Sequence, residues 1–303
     1  MIINKPSLAV ILVNWKKYDL TSNCIESLNK SIYKNFQIIL VDNEFSSINI
    51  IKLKAKHNEL IVFKENKNLG FAGGNNIGIR YALENKYDYI MLLNNDTEVK
   101  NNFILPLIKC LEKSPSLGAV QPLILNFSNK SIIWNAGGKL NKFLGTASTR
   151  FNNIELNSSN VFNDCTDWIS GCCILIKSEV LKKVGLLDEN FFTYYEDVDW
   201  SLRIKNEGYG LGFVKESVIY HHGSSSSINK QNKEGNLSAK VHYFNIRNHI
   251  ILLKKHKNLF NSIGIMFFQI FKIVSYIFYF LIRLRFNKLG MVVKGLKDGL
   301  IYK

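Results

Sequence analysis

Short apolar runs that end in polar residues recur through the first hundred positions of the chain. Each run is rich in branched or aromatic residues and has the length of a buried strand. Segments with helical spacing separate the runs, and the first of these has a candidate cap at Asp19. This alternation predicts parallel β–α–β units and therefore an α/β fold. The predicted strands are Ser7–Trp15, Phe36–Glu44, Glu59–Asn66 and Tyr87–Asp96.

Three of the predicted strands stop at asparagine or aspartate side chains. The carboxyl ends of parallel strands gather along one edge of a sheet, which is where ligands of α/β proteins bind. Asparagine and aspartate are also turn formers, and for Tyr89–Val99 alone a turn is favoured by roughly two to one. Turns do not explain why three polar ends converge, so the pattern favours a binding edge. The strand ends are Asn14, Asp42-Asn43 and Asn94-Asn95-Asp96.

The second half of the chain is less regular. Residues 127–165 are rich in Asn and Ser and weakly periodic, which predicts a loop-rich insertion. Residues 172–185 predict a strand, a helix capped at Ser178 and a stop at Gly185. Residues 196–208 predict a helix with acids in its first turn, where the helix dipole favours them. The run 223–227, GSSSS, indicates a domain boundary or a mobile loop.

Charge is distributed very unevenly along the 303 residues, whose formal net charge is +15. Residues 226–303 hold 14 Lys and Arg against two acids, a net charge of +12, which leaves +3 for the rest. A nearly neutral body therefore carries a basic tail, which suggests a polyanionic partner or an anionic membrane surface. We expect two regions, a catalytic domain over 1–226 and a basic helical region over 227–303.

Cysteine content and the N-terminus bear on the cellular compartment. Five cysteines without regular spacing argue against a disulfide framework and favour reducing cytosol. No Cys/His spacing suits a structural zinc site. The apolar run Ser7–Val13 is too short for a signal peptide. We therefore expect a cytoplasmic protein.

The tail contains an apolar stretch, Ser262–Phe286, that is long enough to span a bilayer. Polar residues recur in it every three or four positions and form a stripe, which favours a helix lying in the membrane interface, at about two chances in three. A true span and a helix packed on the body are the alternatives. The stripe comprises Gln269, Lys272, Ser275, Tyr279 and Arg283. The basic residues expected at anionic headgroups are Lys254, Lys255, Lys257, Arg283, Arg285 and Lys288.

Three further segments could carry chemistry. Asn66–Ala82 places four glycines at a strand-to-helix turn, where a backbone can approach an anionic ligand, although it matches neither the dinucleotide fingerprint nor the phosphate loop. Phe191–Trp200 sets three acids among aromatics, so the acids either have raised pKa values and act as bases or merely cap a helix. His221 and His222 at a strand end are ligands or packed residues with about even odds.

Taken in order, these motifs resemble the family 2 glycosyltransferases, and above all their bacterial rhamnosyltransferase-like branch. The resemblance runs from about Leu8 to Ser226 and rests on VDN, NLGFAGGNN, LLNNDT, SGCCILI, FFTYYEDVDWSLR and YHHGSS. It implies a GT-A fold, that is, a Rossmann-like, mixed and mostly parallel sheet flanked by helices. It also implies a nucleotide-diphosphate sugar donor, a divalent metal and inversion at the sugar carbon.

The resemblance also assigns roles to residues of this chain. Asp197 matches the general base, Asp96 the last acid of a D-x-D metal motif whose first acid is here Asn94, and His221 a histidine that helps hold metal or diphosphate. Asp42 and Asn43 match contacts to the nucleoside base, and the Gly70–Asn76 turn lies along the nucleotide. The donor residues implied are Asn14, Asp42, Asn43, Gly70, Phe71, Ala72, Gly73, Asn75 and Asn95. The acceptor-side residues implied are Trp168, Gly171 and Glu196.

The expected reaction follows from these roles. Mg²⁺ or Mn²⁺ would neutralise the charge that grows on the leaving nucleoside diphosphate. Asp197 would take the proton of an acceptor hydroxyl, and one displacement inverts the configuration. The donor would be dTDP-rhamnose or a UDP-hexose. The acceptor would be a glycan or a polyprenyl-linked glycan at the inner face of the cell membrane, with a homodimer as a further candidate state.

Two other functions remain open at this point. A nucleotidyltransferase would need basic residues around a triphosphate, and the Gly70–Asn76 turn contains none. A basic nucleic-acid-binding protein would spread its charge over the folded body, whereas here the charge accompanies an apolar segment. A donor-hydrolysis assay with and without metal would separate the three functions.

Overall fold

A computed structural model describes residues 5–44, 47–157, 159, 162–223, 234 and 237–302. They form two compact units. The first comprises residues 1–139, 149–192 and 196–223, and the second comprises residues 140–148, 193–195 and 224–303. The GSSSS run lies outside the described residues except for Gly223.

The described part of the first unit is built on a ten-stranded mixed sheet. The sheet strands are β1 (Leu8–Asn14), β2 (Phe36–Asp42), β3 (Ile61–Lys64), β4 (Tyr89–Leu93), β5 (Thr97–Val99), β6 (Leu117–Asn126), β7 (Ile132–Asn135), β10 (Ile154–Glu155), β11 (Cys173–Lys177) and β12 (Gly210–His221). Strands β3, β2, β1 and β4 are parallel neighbours, as the alternating pattern predicts. Strand β11 runs antiparallel to β4 and β6, and β12 is parallel to β6.

Helices cover both faces of the sheet. On β1, Leu8, Val10 and Leu12 pack in one buried cluster, and Ala9 and Ile11 pack in another. Burial on both faces explains why the central strands read as unbroken apolar runs. The helices of this unit are α1 (Tyr18–Asn29), α2 (Ser47–Lys56), α3 (Gly70–Glu84), α4 (Ile104–Lys113), α5 (Ser178–Val184) and α6 (Glu196–Asn206).

Residues 127–165 are rich in loops, as the sequence predicts, and they also contain short strands that the sequence does not reveal. This segment contains β7 and β10 together with a hairpin of β8 (Gly138–Asn141) and β9 (Thr146–Thr149). These strands have two to four residues, and Asn and Ser surround them, so no period-two pattern develops.

Two predicted helix caps are wrong. Helix α1 begins at Tyr18 after Lys17, so Asp19 lies inside the first turn. Helix α5 begins at Ser178 itself, whose Oγ donates a hydrogen bond to the carbonyl oxygen of Tyr87. The stop at Gly185 is confirmed, because that residue ends α5 with a φ of 79° that suits glycine.

The described part of the second unit comprises the tip of the β8–β9 hairpin, Thr193–Tyr195, a short 3₁₀ helix (Lys257–Leu259) and the helices α7 (Ala239–Lys255), α8 (Ser262–Ile282) and α9 (Phe286–Ile301). Helix α9 packs closely on α7, since a Cβ added at Gly295 would lie 2.7 Å from the carbonyl oxygen of Tyr243. Among the described residues, α8 is the one helix long and apolar enough to cross a membrane.

Polar residues of helix α8 contact α7, whereas many of its large apolar residues are exposed. Gln269 Nε2 and Lys272 Nζ lie 3.1 and 2.9 Å from Nδ1 of His249 on α7. The predicted polar stripe is therefore partly a contact between helices. The opposite side of α8 exposes large apolar side chains. They are Ile263, Met266, Phe267, Ile270, Phe271, Val274, Phe278 and Ile282.

Candidate functional site

The ends of β1 and β2 are joined by a buried hydrogen-bond network. Asn14 and Asp42 are partners in the parallel register, and Asn14 Nδ2 donates to Asp42 Oδ1 over 2.7 Å. The hydroxyl of Tyr18 donates to both carboxylate oxygens of Asp42, at 3.0 and 3.1 Å. Asp42 is fully buried. Neutral donors therefore hold this carboxylate in place.

The residues after β4 join the same network. Asn95 Nδ2 donates to Thr21 Oγ1 over 2.8 Å and lies 3.3 Å from Asn14 Oδ1. Three strand ends thus meet, as the strand-end pattern predicts. We call this set, Asn14, Tyr18, Thr21, Asp42 and Asn95, the polar edge.

The start of α3 at the glycine-rich turn packs so closely on Phe192 that a side chain would not fit at Gly70. Gly70 has a φ of 73°, and a Cβ there would lie 2.4 Å from the carbonyl oxygen of Phe192. That oxygen accepts hydrogen bonds from the backbone N–H groups of Phe71 and Ala72, at 2.7 and 3.2 Å. A backbone carbonyl therefore accepts hydrogen bonds from two N–H groups at the start of α3, where the sequence predicts that an anion could bind.

Asn43 connects the turn to β2. Its Nδ2 donates to the carbonyl oxygen of Gly70 over 3.0 Å. Its Oδ1 is buried without a hydrogen-bond partner among the described residues. A Cβ at Gly74 would lie 2.8 Å from Val13 and 3.2 Å from Asn43, so this glycine permits the close approach. An unpaired buried acceptor here suits a donor group of a bound ligand.

Two asparagines of α3 differ in what they contact. Asn75 Nδ2 donates to the carbonyl oxygen of Phe71 in its own helix, and the side chain is buried. Asn76 Nδ2 donates to the carbonyl oxygen of Leu187 and to Glu189 Oε1, both over 2.9 Å. Glu189 is also near Gly73, since a Cβ added there would lie 3.8 Å from its carboxylate. The glycine-rich motif ends at Asn76 and so included it, whereas sequence reasoning missed Glu189, which no motif marks.

Asp96 and His221 are brought together by the antiparallel pairing of β5 with β12. His221 Nε2 lies 3.1 Å from Asp96 Oδ1 and 3.4 Å from Asn94 Nδ2. Both Asp96 and His221 are buried. The edge of Trp134, which sequence reasoning also missed, contacts the His221 ring at a centroid distance of 4.5 Å.

His222 is placed differently from its neighbour. Its ring stacks on Phe127 with centroids 3.6 Å apart, and its Nε2 lies 3.6 Å from Glu98 Oε1. Its backbone N–H donates to the carbonyl oxygen of Asp96. Of the two histidines, His221 is therefore the one whose side chain faces the Asp96 carboxylate.

The donor set at Asp96 and His221 fits part of a divalent cation's coordination. A carboxylate oxygen and an imidazole nitrogen are both ligands of Mn²⁺-type ions, and such ions commonly complete their shell with ligand oxygens. No group of three or more His, Cys, Asp or Glu side chains suited to a metal occurs in the described part of the chain. The residues present therefore suit a cation shared with a bound diphosphate.

Asp197 lies in the first turn of α6 and is held by backbone donors. The N–H of Gly171 donates to its Oδ2, and the N–H of Val198 donates to its Oδ1, each over 2.8 Å. A Cβ on Gly171 would lie 3.0 Å from the Phe71 ring and 3.5 Å from the Asp197 Cβ. Glycine at 171 thus lets the acid lie beside the aromatic residue of the α3 turn.

Burial changes the acidity at the start of α6. It raises the pKa of Asp197, an effect that the N–H groups of Gly171 and Val198 partly oppose. Burial, and then the charge of Asp197, raise the pKa of Glu196 well above its usual value. Glu196 Oε2 is buried without a hydrogen-bond partner in the part of the chain that the structure describes. Both carboxyls therefore hold protons more tightly than carboxyls in water.

Asp96 and Asp197 lie at the same end of the sheet. The N–H of Asn94 donates to the carbonyl oxygen of Cys172, the residue after Gly171, over 2.9 Å. Burial raises the pKa of the Cys172 thiol, and the charges of both Asp96 and Asp197 contribute to that shift. The two carboxylates are therefore within electrostatic reach of one buried side chain.

Trp168 precedes this segment and is buried. Its Nε1 has no hydrogen-bond partner among the described residues. A Cβ at Gly138 would lie 2.1 Å from that nitrogen, so the indole needs glycine there. The next residue is also fixed, since the N–H of Ile169 donates to Ser201 Oγ on α6. Trp168, Gly171, Glu196 and Asp197 thus belong to one connected region.

This combination of a mixed sheet, a polar strand edge and acids at the start of a late helix is that of a GT-A glycosyltransferase. The sequence profile of glycosyl transferase family 2 matches residues 9–185. The chain belongs to this family, and the family resemblance and the fold class expected from the sequence are both confirmed.

Three relatives show the range of similarity. The hexosyltransferase Agl10 of low-salt glycan biosynthesis in Haloferax volcanii is 28% identical, with 68% of this chain and 64% of that protein covered. Rhamnosyltransferase WbbL of Escherichia coli is 27% identical, covering 73% and 86%. The dTDP-rhamnosyl transferase RfbF of Shigella flexneri is 25% identical, covering 74% and 72%. The chain thus spans less than two thirds of Agl10.

Solved structures share the fold at low identity. The mannosyltransferase PcManGT of Pyrobaculum calidifontis, in complex with GDP-Man and Mn²⁺, is 12% identical with a TM-score of 0.59, covering 99% of this chain and 77% of that one. GalNAc-T7 with UDP, GalNAc and Mn²⁺ is 19% identical with a TM-score of 0.57, covering 71% and 43%.

Proposed function

We propose that this chain is an inverting glycosyltransferase that transfers a sugar from a nucleotide-diphosphate donor to a hydroxyl of a glycan or lipid-linked glycan acceptor. The observation that carries the proposal is the placement of Asp197. Its carboxylate accepts a hydrogen bond from the Gly171 N–H beside Phe71, and the next residue, Cys172, accepts one from Asn94, two residues before Asp96. One bound donor could then reach both Asp197, as the base, and Asp96, which would hold a cation beside the leaving group.

Asp197 acts as the general base. Both of its oxygens accept backbone hydrogen bonds, which fixes their direction, and burial raises its pKa and so strengthens it as a base. It removes the proton of the acceptor hydroxyl as that oxygen attacks the sugar carbon, a contribution of about 10²–10⁴-fold in rate. A single displacement inverts the configuration and requires no carboxylate nucleophile.

Asp96 and His221 would hold a divalent cation, Mg²⁺ or Mn²⁺. When bound, the cation supplies positive charge to the leaving diphosphate. Each side chain is buried, so the pair is held in a defined position before the donor arrives. Asn94, where the family motif has its first acid, is 3.4 Å from His221 Nε2 and orients the ring instead.

The donor lies along the polar edge and the α3 turn. Asn43 Oδ1, which lacks a hydrogen-bond partner among the described residues, is available to the nucleoside base. Asp42 holds this region in place by accepting hydrogen bonds from Asn14 and Tyr18. Rhamnose from dTDP-rhamnose is the donor we favour over a UDP-hexose, since two relatives carry rhamnosyltransferase names.

The test is a calorimetric binding panel of dTDP, UDP and GDP with Mn²⁺, followed by sugar transfer and donor hydrolysis with and without the metal. We expect one nucleoside diphosphate to bind only when metal is present, and its sugar to be released from the diphosphate. Cleavage between the α and β phosphates would indicate a nucleotidyltransferase instead. Absence of nucleotide binding under all conditions would reject the proposal.

A single substitution tests whether Asp96 binds the metal. Asp96→Asn removes a carboxylate ligand while keeping the shape of the side chain, so we expect Mn²⁺-dependent nucleotide affinity to fall at least about tenfold. Glu98→Gln, two residues further along the chain, is the matched control and retains affinity. Equal affinities for Asp96→Asn and the unaltered protein would remove Asp96 from the metal site.

We further propose that α8 attaches the enzyme to an anionic membrane surface with its axis in the plane of the interface. Its exposed side is largely apolar, and Gln269 and Lys272 contact His249. The exposed basic residues Lys255, Lys257 and Arg283 then meet the headgroups. This placement brings the enzyme to a lipid-linked acceptor at the inner face of the cell membrane. Lys288, which the sequence also places at the headgroups, is instead buried, and its Nζ donates to the carbonyl oxygen of Glu234.

The membrane proposal is tested with vesicles of phosphatidylcholine and phosphatidylglycerol. Replacing Phe267, Phe271 and Phe278 by Ser should weaken binding at least about tenfold, because apolar area no longer leaves water. Replacing Ile32, Ile48 and Ile51, which are also exposed, is the matched control and leaves binding unchanged. Equal binding of both triple variants would contradict the assignment of α8 as the membrane contact.

A further inference from the structure

The segment immediately before α6 has an unusual backbone. Phe192, Tyr194 and Tyr195 have φ values of 62°, 69° and 71°. These values lie in the left-handed region, which bulky side chains rarely adopt and which persists only where the surroundings hold it. Such backbone strain is concentrated at functional sites. We call Thr193–Tyr195, which belongs to the second unit, the strap.

Helix α7 holds the strap through Asn248. The side-chain Nδ2 of Asn248 donates to the carbonyl oxygens of Thr193 and Tyr194, over 2.8 and 2.9 Å. Its Oδ1 accepts a hydrogen bond from Arg247 Nη1 over 2.9 Å. Asn248 is fully buried. One carboxamide thus satisfies two consecutive carbonyls of a strained segment, so the contact is specific to this backbone shape.

The next residue of α7 holds the last residue of the strap. The rings of His249 and Tyr195 stack with centroids 5.1 Å apart and an interplanar angle of 5°. His249 Nε2 lies 2.7 Å from the carbonyl oxygen of Gly145, and its Nδ1 faces Gln269 and Lys272 of α8. Because the carbonyl can only accept, Nε2 carries the proton and Nδ1 is the acceptor. The histidine is thus fixed on both sides.

The chain runs directly from Tyr195 into Glu196 and Asp197. The conformation of the strap therefore sets where α6 begins and how its first N–H groups are placed. One of these groups, on Val198, donates to the Asp197 carboxylate. The residue before the strap, Phe192, accepts the hydrogen bonds of the α3 turn. Along the chain, the strap therefore connects Phe192, which contacts the start of α3, with Asp197, the proposed base.

We propose that Asn248 is a positioning residue for the transfer reaction, holding the strap so that the Asp197 carboxylate is fixed in its working orientation. This inference rests on the proposed role of Asp197 as the base. It gives α7 a function in the chemical step besides its packing in the second unit. A misplacement of about 1 Å in a reacting group can cost on the order of 10²-fold in rate.

The experiment compares Asn248→Ala with Asn245→Ala. Asn245 lies on the same helix, is partly buried, and donates to the carbonyl oxygen of Val241 within that helix. Release of dTDP from dTDP-rhamnose, or from whichever nucleotide sugar the binding panel selects, gives kcat and the KM for the donor. We expect Asn248→Ala to lower kcat about 10- to 100-fold with the donor KM within about twofold. We expect Asn245→Ala to change neither.

Hydrogen exchange supplies a readout independent of rate. The amides of residues 193–198 should exchange faster in Asn248→Ala than in Asn245→Ala, because the strap loses its donors. If Asn248→Ala does not fold, Tyr195→Leu removes the stack on His249 at a partly exposed position and should lower kcat in the same way. An unchanged kcat in a folded Asn248 or Tyr195 variant would overturn the inference.

Asp197→Asn separates this inference from the one on which it depends. If Asp197→Asn abolishes turnover while the Asn248 and Tyr195 variants turn over normally, the base is correct and the positioning role is wrong. If Asp197→Asn turns over normally, the base assignment fails, and the positioning role fails with it.

Discussion

Two groups of acidic and amide side chains in the first unit are built from the same residue types and differ in how their hydrogen bonds are satisfied. At the polar edge, Asp42 accepts hydrogen bonds from Asn14 and Tyr18, and the network is buried. At the start of α6, Glu196 has a buried oxygen without a partner among the described residues, and burial raises the pKa values of Glu196 and Asp197.

The difference separates a structural use of carboxylates from a chemical one. A buried carboxylate that accepts hydrogen bonds from neutral donors, as Asp42 does, is held in one position and links neighbouring strands. At the start of α6 burial raises the pKa of both carboxyls, even though Asp197 accepts two backbone hydrogen bonds. A carboxyl that holds its proton more tightly suits proton transfer and costs stability. We therefore expect substitutions at the polar edge to affect stability and donor affinity, and substitutions at the α6 start to affect turnover.

The largest effect is expected at Asp197. Asp197→Asn keeps the acceptor oxygen available to one backbone N–H and removes the base, so transfer should fall by about 10²–10⁴-fold. Nucleotide affinity should be retained, because in the proposed mechanism Asp197 acts on the acceptor hydroxyl and not on the nucleotide. Turnover measured at saturating donor, with calorimetry for affinity, checks both parts.

The matched control is Glu207→Gln, an exposed acid just beyond the same helix, which should leave turnover unchanged. A variant at Asp197 that lost nucleotide affinity in proportion to its turnover would place this residue in donor binding and remove the contrast with the polar edge.

The central strands and their polar ends could be predicted from the sequence for a physical reason. Helices cover both faces of β1, β2 and β4, so nearly every position in these strands is apolar until the strand leaves the core. Asn14, Asp42 and the pair Asn94-Asn95 are then the first polar residues after the core, which is why the pattern locates the polar edge. The short strands within residues 127–165 bury too few residues for any pattern.

Long-range and backbone features could not be predicted in this way. Asn248 contacts a segment 54 and 55 residues earlier, and no local pattern encodes such a pairing. The left-handed backbone of Tyr194 and Tyr195 is also invisible, because tyrosine does not signal that conformation as glycine does. The predicted polar stripe of α8 gave the positions of Gln269 and Lys272 but not their partner, His249.

At the polar edge, Asp42→Asn is expected to lower the free energy of unfolding by about 1–3 kcal/mol. The new amide brings a donor group towards Asn14 and Tyr18, and a buried donor is left without a good acceptor. We expect the donor KM to rise and kcat at saturation to stay within about threefold, the reverse of Asp197→Asn. Denaturant unfolding and steady-state kinetics measure the two effects. A fall in kcat as large as that of Asp197→Asn would contradict a structural role.

The smallest effect concerns Glu196 and appears as a pH dependence of stability. The folded-state pKa of Glu196 is raised above its ordinary value of 4.5, chiefly by burial. Between those two values the folded protein binds more protons than the unfolded chain. The stabilisation is therefore complete below pH 4.5 and is lost as pH rises through the folded-state pKa.

Glu196→Gln removes this loss. Its free energy of unfolding should therefore rise relative to that of the unaltered protein by about 1.4 kcal/mol for each pH unit between the two pKa values. Denaturant unfolding from pH 4 to 8 measures the gain, and Glu207→Gln should show none. A constant difference across this range would mean that Glu196 titrates like an exposed carboxyl, and the contrast with Asp42 would then rest on Asp197 alone.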